Sequence, residues 1–190
     1  LDAGSRSLTD AVAAALPTPA PGPVFGALRD GYGILLDALQ QAADATFVRG
    51  EASGLRSDGA SWNVDPLGSV DAVILAVPAP RAAALLAGVD ADVASTVARI
   101  ELASSAVVAL RLSGQVELPQ NSGILVATDA DLTAKAFTLS SRKWTHLADR
   151  GEHLVRVSFG RFGASEIVDR PDGELIDFAR ADLETVTGIT

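Results

Sequence analysis

The chain contains no cysteine and no methionine, and it has only two histidines, His146 and His153. Without cysteine it can form neither a disulfide nor a thiol nucleophile. The two histidines do not form an H-E-x-x-H motif, which argues against a zinc site. The chain also lacks the G-x-S-x-G sequence of serine hydrolases. We therefore predict no metal site and no catalytic side chain.

Long apolar runs and clustered positive charges are also missing. The longest apolar run, AVILAVPA, is interrupted by Pro78 and is too short to cross a membrane. AVAAAL near the start has no basic region before it, unlike a secretory signal. A net charge of -9 opposes binding to nucleic acid. We expect a cytoplasmic protein without a nucleic-acid partner, and the missing initiator methionine suggests a piece of a longer protein.

Two glycines flank Tyr32 in the stretch GALRDGYGILLDALQQ. A dinucleotide-binding loop needs G-x-G-x-x-G directly after a strand, so that the helix N-terminus receives the pyrophosphate. Here Leu36 replaces the third glycine, and the prolines at 21 and 23 break any strand upstream. The apolar spacing from Ile34 onward instead predicts an amphipathic helix.

The first half of the chain alternates between helical and extended patterns. A capping sequence at 7–10 predicts a short helix, and the four prolines of 17–23 predict an extended connector. ATFVRGEASGLR predicts a strand broken at Gly50, and 57–60 a hairpin turn. The continuous apolar run VDAVILAVP predicts a strand buried on both faces, followed by the helix PRAAALLAG.

From Ser104 the pattern becomes that of an antiparallel sheet. Four strands are predicted, in SSAVVALRLS, SGILVAT, AKAFTLSS and HLVRVSFG. Asp172 is expected to cap a last helix that Gly188 closes. Its predicted apolar stripe consists of Leu175, Ile176, Ala179, Leu183 and Val186. The predicted fold class is α+β, with an α/β lobe, an antiparallel or mixed sheet lobe, and a boundary near 88–103.

Polar clusters allow two interpretations each. SSRKWTHLADRGEH, residues 140–153, could clamp carboxylates through its cations around Trp144, although a solvated loop is favoured. Ser122-Gly123 and Gly160 could let a flat ligand approach the backbone, although simple turns are commoner. The pairs Asp129–Asp131 and Asp169–Asp172 are interpreted as turn caps.

Several stretches together resemble the flavin-dependent porphyrinogen oxidases of haem synthesis, within the amine-oxidase-like flavoproteins. They are FGALRDGYGILLDAL, RGEASGL, VDAVILAVPAPRAAALL, SGILVA, SSRKWTHL and LVRVSFGR. The resemblance implies FAD as cofactor, oxygen as acceptor, and protoporphyrinogen IX or coproporphyrinogen III as substrate. It also implies that Gly31 and Gly33 are packing glycines.

The resemblance further implies roles for individual residues. Ala52, through its backbone, and Pro78 would contact the cofactor. Residues that would line the macrocycle pocket are Ser122, Gly123, Leu125 and Ser158, and candidates for binding its propionates are Arg142, Lys143 and Arg161. It divides the chain into an N-terminal helix and connector (1–24), part of an FAD-binding domain (25–88) and a substrate-binding domain (89–190).

The family's N-terminal G-x-G-x-x-G and its C-terminal flavin-closing segment have no counterpart here. The chain would therefore be a middle fragment, expected to retain no FAD and to be inactive alone. For the parent, peripheral membrane association and a homodimer stay open. Two alternatives also stay open: an autonomous module that binds an apolar ligand, and a fragment of another flavin amine oxidase or desaturase.

Overall fold

The computed structural model describes Ser7, residues 25–149 and residues 151–189. The chain divides into two compact units, 1–45 and 46–190. The predicted N-terminal helix and proline-rich connector, within 1–24, lie outside the described residues apart from Ser7. The division at 45–46 differs from the lobe boundary predicted near 88–103, and the functional domains 25–88 and 89–190 stay predictions.

The described part of the first unit consists mainly of helix α1, Gly33–Ala42, as the helical spacing predicts. Gly31 precedes it with a φ of 84°, a backbone conformation that favours glycine. A Cβ at Gly31 or Gly33 would meet no described atom within 4 Å. Gly31 thus serves the turn before the helix, and the interpretation of Gly31 and Gly33 as packing glycines stays a prediction.

The second unit begins with a three-stranded antiparallel sheet in the order β1-β2-β3. Its strands are β1, Gly54–Ser57, β2, Trp62–Asp65, and β3, Gly68–Val70. The predicted hairpin turn at 57–60 is confirmed. The strand predicted over ATFVRGEASGLR forms only at its end, because 46–52 pairs with no strand among the described residues and Phe47 and Val48 are exposed.

The predicted buried strand VDAVILAVP is not formed. Residues 71–77 have no regular secondary structure, and Ile74 is 93% exposed. A strand requires a neighbour to pair its backbone N–H and C=O groups, and among the described residues none pairs with this segment. The apolar run predicts burial correctly only where such a neighbour is present.

Two helices follow this segment. Helix α2, Ala79–Leu86, has a proline in its first turn, as predicted. Helix α3, Ala91–Ala98, was not predicted, and its N-cap Asp90 accepts hydrogen bonds from the amides of Asp92 and Val93. Helix α2 packs against α3 and β1. Leu55, Leu85 and Ala94 are the buried apolar residues of these three elements.

The remaining residues form a four-stranded antiparallel sheet, and its four predicted strands are confirmed. They are β4, Ala106–Leu112, β5, Gly123–Leu125, β6, Ala136–Leu139, and β7, His153–Phe159. Their order across the sheet is β4-β7-β6-β5, so the last strand in sequence is central. Short helices α4, Ser140–Lys143, and α5, Thr145–Ala148, connect β6 to β7, and a 3-10 helix spans Glu166–Asp169.

Helix α6, Asp172–Thr187, covers one face of this sheet. From the predicted stripe, Leu175, Ala179 and Leu183 are buried, whereas Ile176 is 43% exposed. Gly188 ends the helix at a φ of 73°, as predicted. The cap prediction for Asp172 is wrong, because the N-cap is Pro171 and Asp172 is the first helical residue, without a capping hydrogen bond.

Helix α6 carries a buried carboxylate. Asp182 is 8% exposed, and its Oδ2 accepts a hydrogen bond of 2.7 Å from the backbone N–H of Ala134. Ala134 is itself fully buried and lies two residues before β6. The bond therefore connects the helix to the segment that enters the sheet. Among the described residues, no helix is long and apolar enough to cross a membrane.

Substitution of Asp182 by alanine should lower the free energy of unfolding by about 1–3 kcal/mol, because the buried Ala134 N–H loses its acceptor. Asp177→Ala, at an exposed position of the same helix, is the matched control and should change stability little. Urea unfolding followed by circular dichroism measures both. Equal effects of the two substitutions would contradict a specific role for the Asp182 bond.

Asp58 makes the stability of the β1–β2 hairpin dependent on pH. Hydrogen bonds from the amides of Ser61 and Ala60, and from the Ser61 hydroxyl, lower the pKa of the Asp58 carboxyl. The stabilisation is present above the ordinary pKa of about 3.9 and is lost as the pH falls through the lower folded value. An NMR titration should show a depressed Asp58 pKa, and in Asp58→Asn the Ser61 amide should lose its acid-dependent shift.

Candidate functional site

One face of the four-stranded sheet is accessible, and we call it the open face. Its residues are Val107, Ala109, Arg111, Gly123, Leu125, Ala136, Thr138, Leu154, Arg156 and Ser158. Each is exposed or half-buried. Along the same strands the alternating residues Val155, Val157 and Phe159 are fully buried against the core. Because successive side chains of a strand point to opposite faces, this alternation separates a core face from the open face.

The register arranges the open face in rows. One row runs Ala109, Arg156, Thr138 and Gly123 across β4, β7, β6 and β5. The next row runs Val107, Ser158, Ala136 and Leu125 in the same order. Neighbouring strands are about 5 Å apart, so each row spans roughly 15 Å. The rows form a surface of small, apolar and hydroxyl side chains around one guanidinium.

Three residues predicted for the macrocycle pocket share this face. Gly123, Leu125 and Ser158 lie on it in adjacent rows, and Leu125 is 89% exposed. Ser122 directly precedes β5, where its carbonyl accepts a hydrogen bond of 3.0 Å from the amide of Leu139. Gly123, Leu125 and Ser158, which are up to 35 positions apart in sequence, thus come together at one surface, and Ser122 adjoins its edge.

The packing of the sheet itself requires glycine at position 123, whether or not a ligand is bound. A Cβ at this position would lie 2.6 Å from the carbonyl oxygen of Phe137, on the neighbouring strand. The residue sits inside β5, so the alternative of a simple turn does not describe it. Its lack of a side chain permits close pairing with β6 and leaves the row flat at that end.

The predicted cation cluster at 140–153 is not a plain loop, because helices α4 and α5 occupy most of it. Arg142 donates from Nη2 to the carbonyl of Leu118 at 2.7 Å. The ammonium of Lys143 lies 5.3 Å from the ring centroid of Trp144, within the range of a cation–π contact. Arg150 lies outside the described residues. Both described cations lie beyond the strands that form the open face.

Arg161 follows β7 and is also bound to backbone. Its Nη2 donates to the carbonyl of Val126 at 2.9 Å. With Gly160 and Ile167 it lines a cavity of about 350 Å³ at this end of the sheet. Gly160 has a φ of 82°, and a Cβ there would lie 2.8 Å from the Val168 side chain, so this glycine serves the tight backbone at the strand end.

The two residues expected to contact FAD lie next to the first sheet of this unit but not within its strands. Ala52 lies two residues before β1, and its amide makes no hydrogen bond within the described part of the chain. Its carbonyl accepts only a long bond of 3.4 Å from Arg81. Pro78 is the N-cap of α2 and is exposed. A free amide and an exposed proline fit backbone and van der Waals contacts with a cofactor.

The sequence interpretation missed Arg156. The residue is exposed at the centre of the open face, and the structure gives it no hydrogen bond or ion pair with any described residue. The signal was present in the alternation of HLVRVSF, which places Arg156 on the same face as Ser158. Among the described residues, no group of three or more histidine, aspartate or glutamate side chains could hold a metal ion.

Comparison with known proteins supplies the family. A sequence profile of the flavin containing amine oxidoreductase family matches residues 20–189. The chain belongs to this family. Its described fold agrees with a solved structure from Exiguobacterium sp. 255-15 whose name gives protoporphyrinogen oxidase as its proposed activity. The TM-score is 0.75 at 23% identity, over 86% of this chain and 37% of that one. This likeness confirms the α+β fold.

Among the curated proteins, the family member is similar to three bacterial coproporphyrinogen III oxidases. The Mycobacterium leprae protein is 45% identical over all of this chain and 43% of its own length. The Mycobacterium bovis protein is 44% identical over all of this chain and 42% of its own length. The Bacillus subtilis protein is 28% identical over 87% of this chain and 36% of its own length. The chain thus spans about two fifths of the mycobacterial relatives.

Substitution of Gly123 by alanine should lower the free energy of unfolding by about 1–3 kcal/mol, because the new Cβ forces β5 away from β6. Gly173→Ala is the matched control, since nothing lies within 4 Å of a Cβ there. It is expected to be neutral or slightly stabilising, because alanine favours the helix. Thermal unfolding measures both, and an unperturbed Gly123→Ala variant would contradict the tight pairing.

Proposed function

We propose that this chain is the central part of an FAD-dependent porphyrinogen oxidase, which dehydrogenates coproporphyrinogen III to the porphyrin with oxygen as the acceptor. The names of the mycobacterial relatives favour this substrate over protoporphyrinogen IX. The observation that carries the proposal is the open face, where the register brings Gly123, Leu125 and Ser158 to one accessible surface.

The open face has the chemistry of a wall for a broad apolar ligand. Val107, Leu125 and Leu154 supply apolar contact, and Ala109 and Ala136 leave the sheet nearly flat between them. Burial of apolar ligand surface against such side chains is favourable by about 25 cal/mol per Å². Ser122, Gly123, Leu125 and Ser158 are proposed to contact the macrocycle, and the hydroxyls of Ser158 and Thr138 can orient its polar groups.

FAD, when bound by the whole protein, supplies the redox chemistry, and this chain's residues hold and orient. The free amide of Ala52 is proposed to bind the adenine end of the cofactor, and Pro78 to contact it at the start of α2. Because the contact at Ala52 is made by the backbone, it is compatible with any side chain at that position. Most of the cofactor contacts are proposed to come from segments of the parent outside this chain, which is why the chain alone should be inactive.

Arg142, Lys143 and Arg161 are proposed to contact propionates at the rim of the ligand. Arg142 and Arg161 each donate a hydrogen bond from Nη2 to a backbone carbonyl oxygen. Further N–H donors of each group remain for a carboxylate. The parent is also proposed to be cytoplasmic and to associate peripherally with the membrane. A homodimer is its proposed oligomeric state.

The full-length flavoprotein should lose its oxidised flavin absorbance near 450 nm when mixed anaerobically with coproporphyrinogen III, because the substrate transfers hydride to the cofactor. Protoporphyrinogen IX, added in a parallel sample, tests the choice of substrate. A primary amine is the control for another amine oxidase activity. Reduction by the amine and by neither porphyrinogen would refute the proposal.

A further inference from the structure

Arg156 is the cation of the open face that the described residues leave without a partner. Arg111, on the same face, lies 3.2 Å from Glu152 and forms an ion pair with it. Arg142 and Arg161, beside the sheet, are bound to carbonyl oxygens. Arg156 therefore presents its whole guanidinium fork to whatever covers this surface.

The neighbours of Arg156 do not supply a counter-charge. Across the sheet its partners are Ala109 and Thr138, and along β7 the residues on its side are Leu154 and Ser158. None of the ten residues of the open face is acidic. A ligand that covers Arg156 removes it from water, and a guanidinium buried without an anion is strongly unfavourable. The surface thus selects a ligand that brings its own negative charge.

We infer that Arg156 binds a carboxylate of the porphyrinogen and determines specificity for the acidic substrate. The inference rests on the proposed function. A guanidinium fork donates two parallel N–H···O bonds to a carboxylate, and a propionate at the rim of the macrocycle supplies that carboxylate.

The geometry of β7 supports this assignment. Arg156 and Ser158 are two residues apart on one face, and their Cα atoms are therefore about 7 Å apart. A macrocycle in contact with Ser158 can place a propionate at Arg156. The small side chains of Ala109 and Thr138 leave room above the guanidinium. Since β7 is the central strand, Arg156 is held by pairing on both sides.

The test uses the full-length enzyme with FAD. Arg156→Gln should raise the KM for coproporphyrinogen III about tenfold or more, as expected for the loss of a charge-assisted hydrogen bond. Its kcat should remain within about threefold, because the interaction is made in the ground state and in the transition state alike. The Kd of the variant for the product porphyrin, measured by fluorescence titration, should rise in parallel. The methyl ester of that porphyrin should bind the wild type and Arg156→Gln with equal affinity.

The controls separate this role from others. Arg180→Gln makes the same charge change at an exposed position of helix α6, which packs on the core face of the sheet, and should bind like the wild type. Arg156→Lys keeps the charge and should recover part of the affinity. If Arg156→Gln has a lowered melting temperature, the affinity of Arg156→Lys shows whether the charge itself binds the ligand.

Wild-type affinity in Arg156→Gln, or an equal loss for the acid and the ester, would overturn the assignment. In either case a wild-type enzyme that is active with coproporphyrinogen leaves the proposed function intact. A wild-type enzyme whose flavin neither porphyrinogen reduces would overturn the proposed function and this inference together.

Discussion

The alternation of side chains along β7 is the constraint on which the candidate site depends. Val155, Val157 and Phe159 are fully buried beneath helix α6, and their burial fixes the register of β7 against both neighbours. A slip of one residue would move these apolar groups to the accessible face and bring Arg156 into the core. The hydrophobic core therefore sets which side chains the open face presents, although none of its own residues lies there.

Hydrogen bonds from cations to backbone carbonyls reinforce the ends of this sheet. Lys135 donates to the carbonyl of Gly160 at 2.5 Å, and Arg142 and Arg161 bind the carbonyls of Leu118 and Val126. These side chains connect the strands to the segments that enter and leave them. A site built on strands that are fixed in this way is more precise than one carried by loops.

The sequence predicted strands and helices well where apolar and polar residues alternate between two faces of the same segment. The four strands and the last helix followed from periods of two and 3.6, because each buries one face within the described fold. The strand prediction for VDAVILAVP was wrong because a continuous apolar run indicates burial but does not identify a strand with which the segment can pair. The helices at 140–148 were missed because Ser141 and Arg142 are held by residues distant in sequence. The alternation alone would have placed Arg156 on the open face. Only the strand register shows that no acidic residue of the described chain lies beside it.

The composition of the open face also limits which steps of the proposed dehydrogenation its side chains could perform. Removal of hydrogen from a porphyrinogen releases a hydride and a proton, and the proton needs an acceptor. The ten residues of the open face include no aspartate, glutamate or histidine, and arginine does not deprotonate in proteins. His153 belongs to the opposite side of β7, where it pairs with Leu112. In the proposed reaction the open face would therefore orient the substrate and balance its charge, while the proton would leave through water or through groups outside this surface.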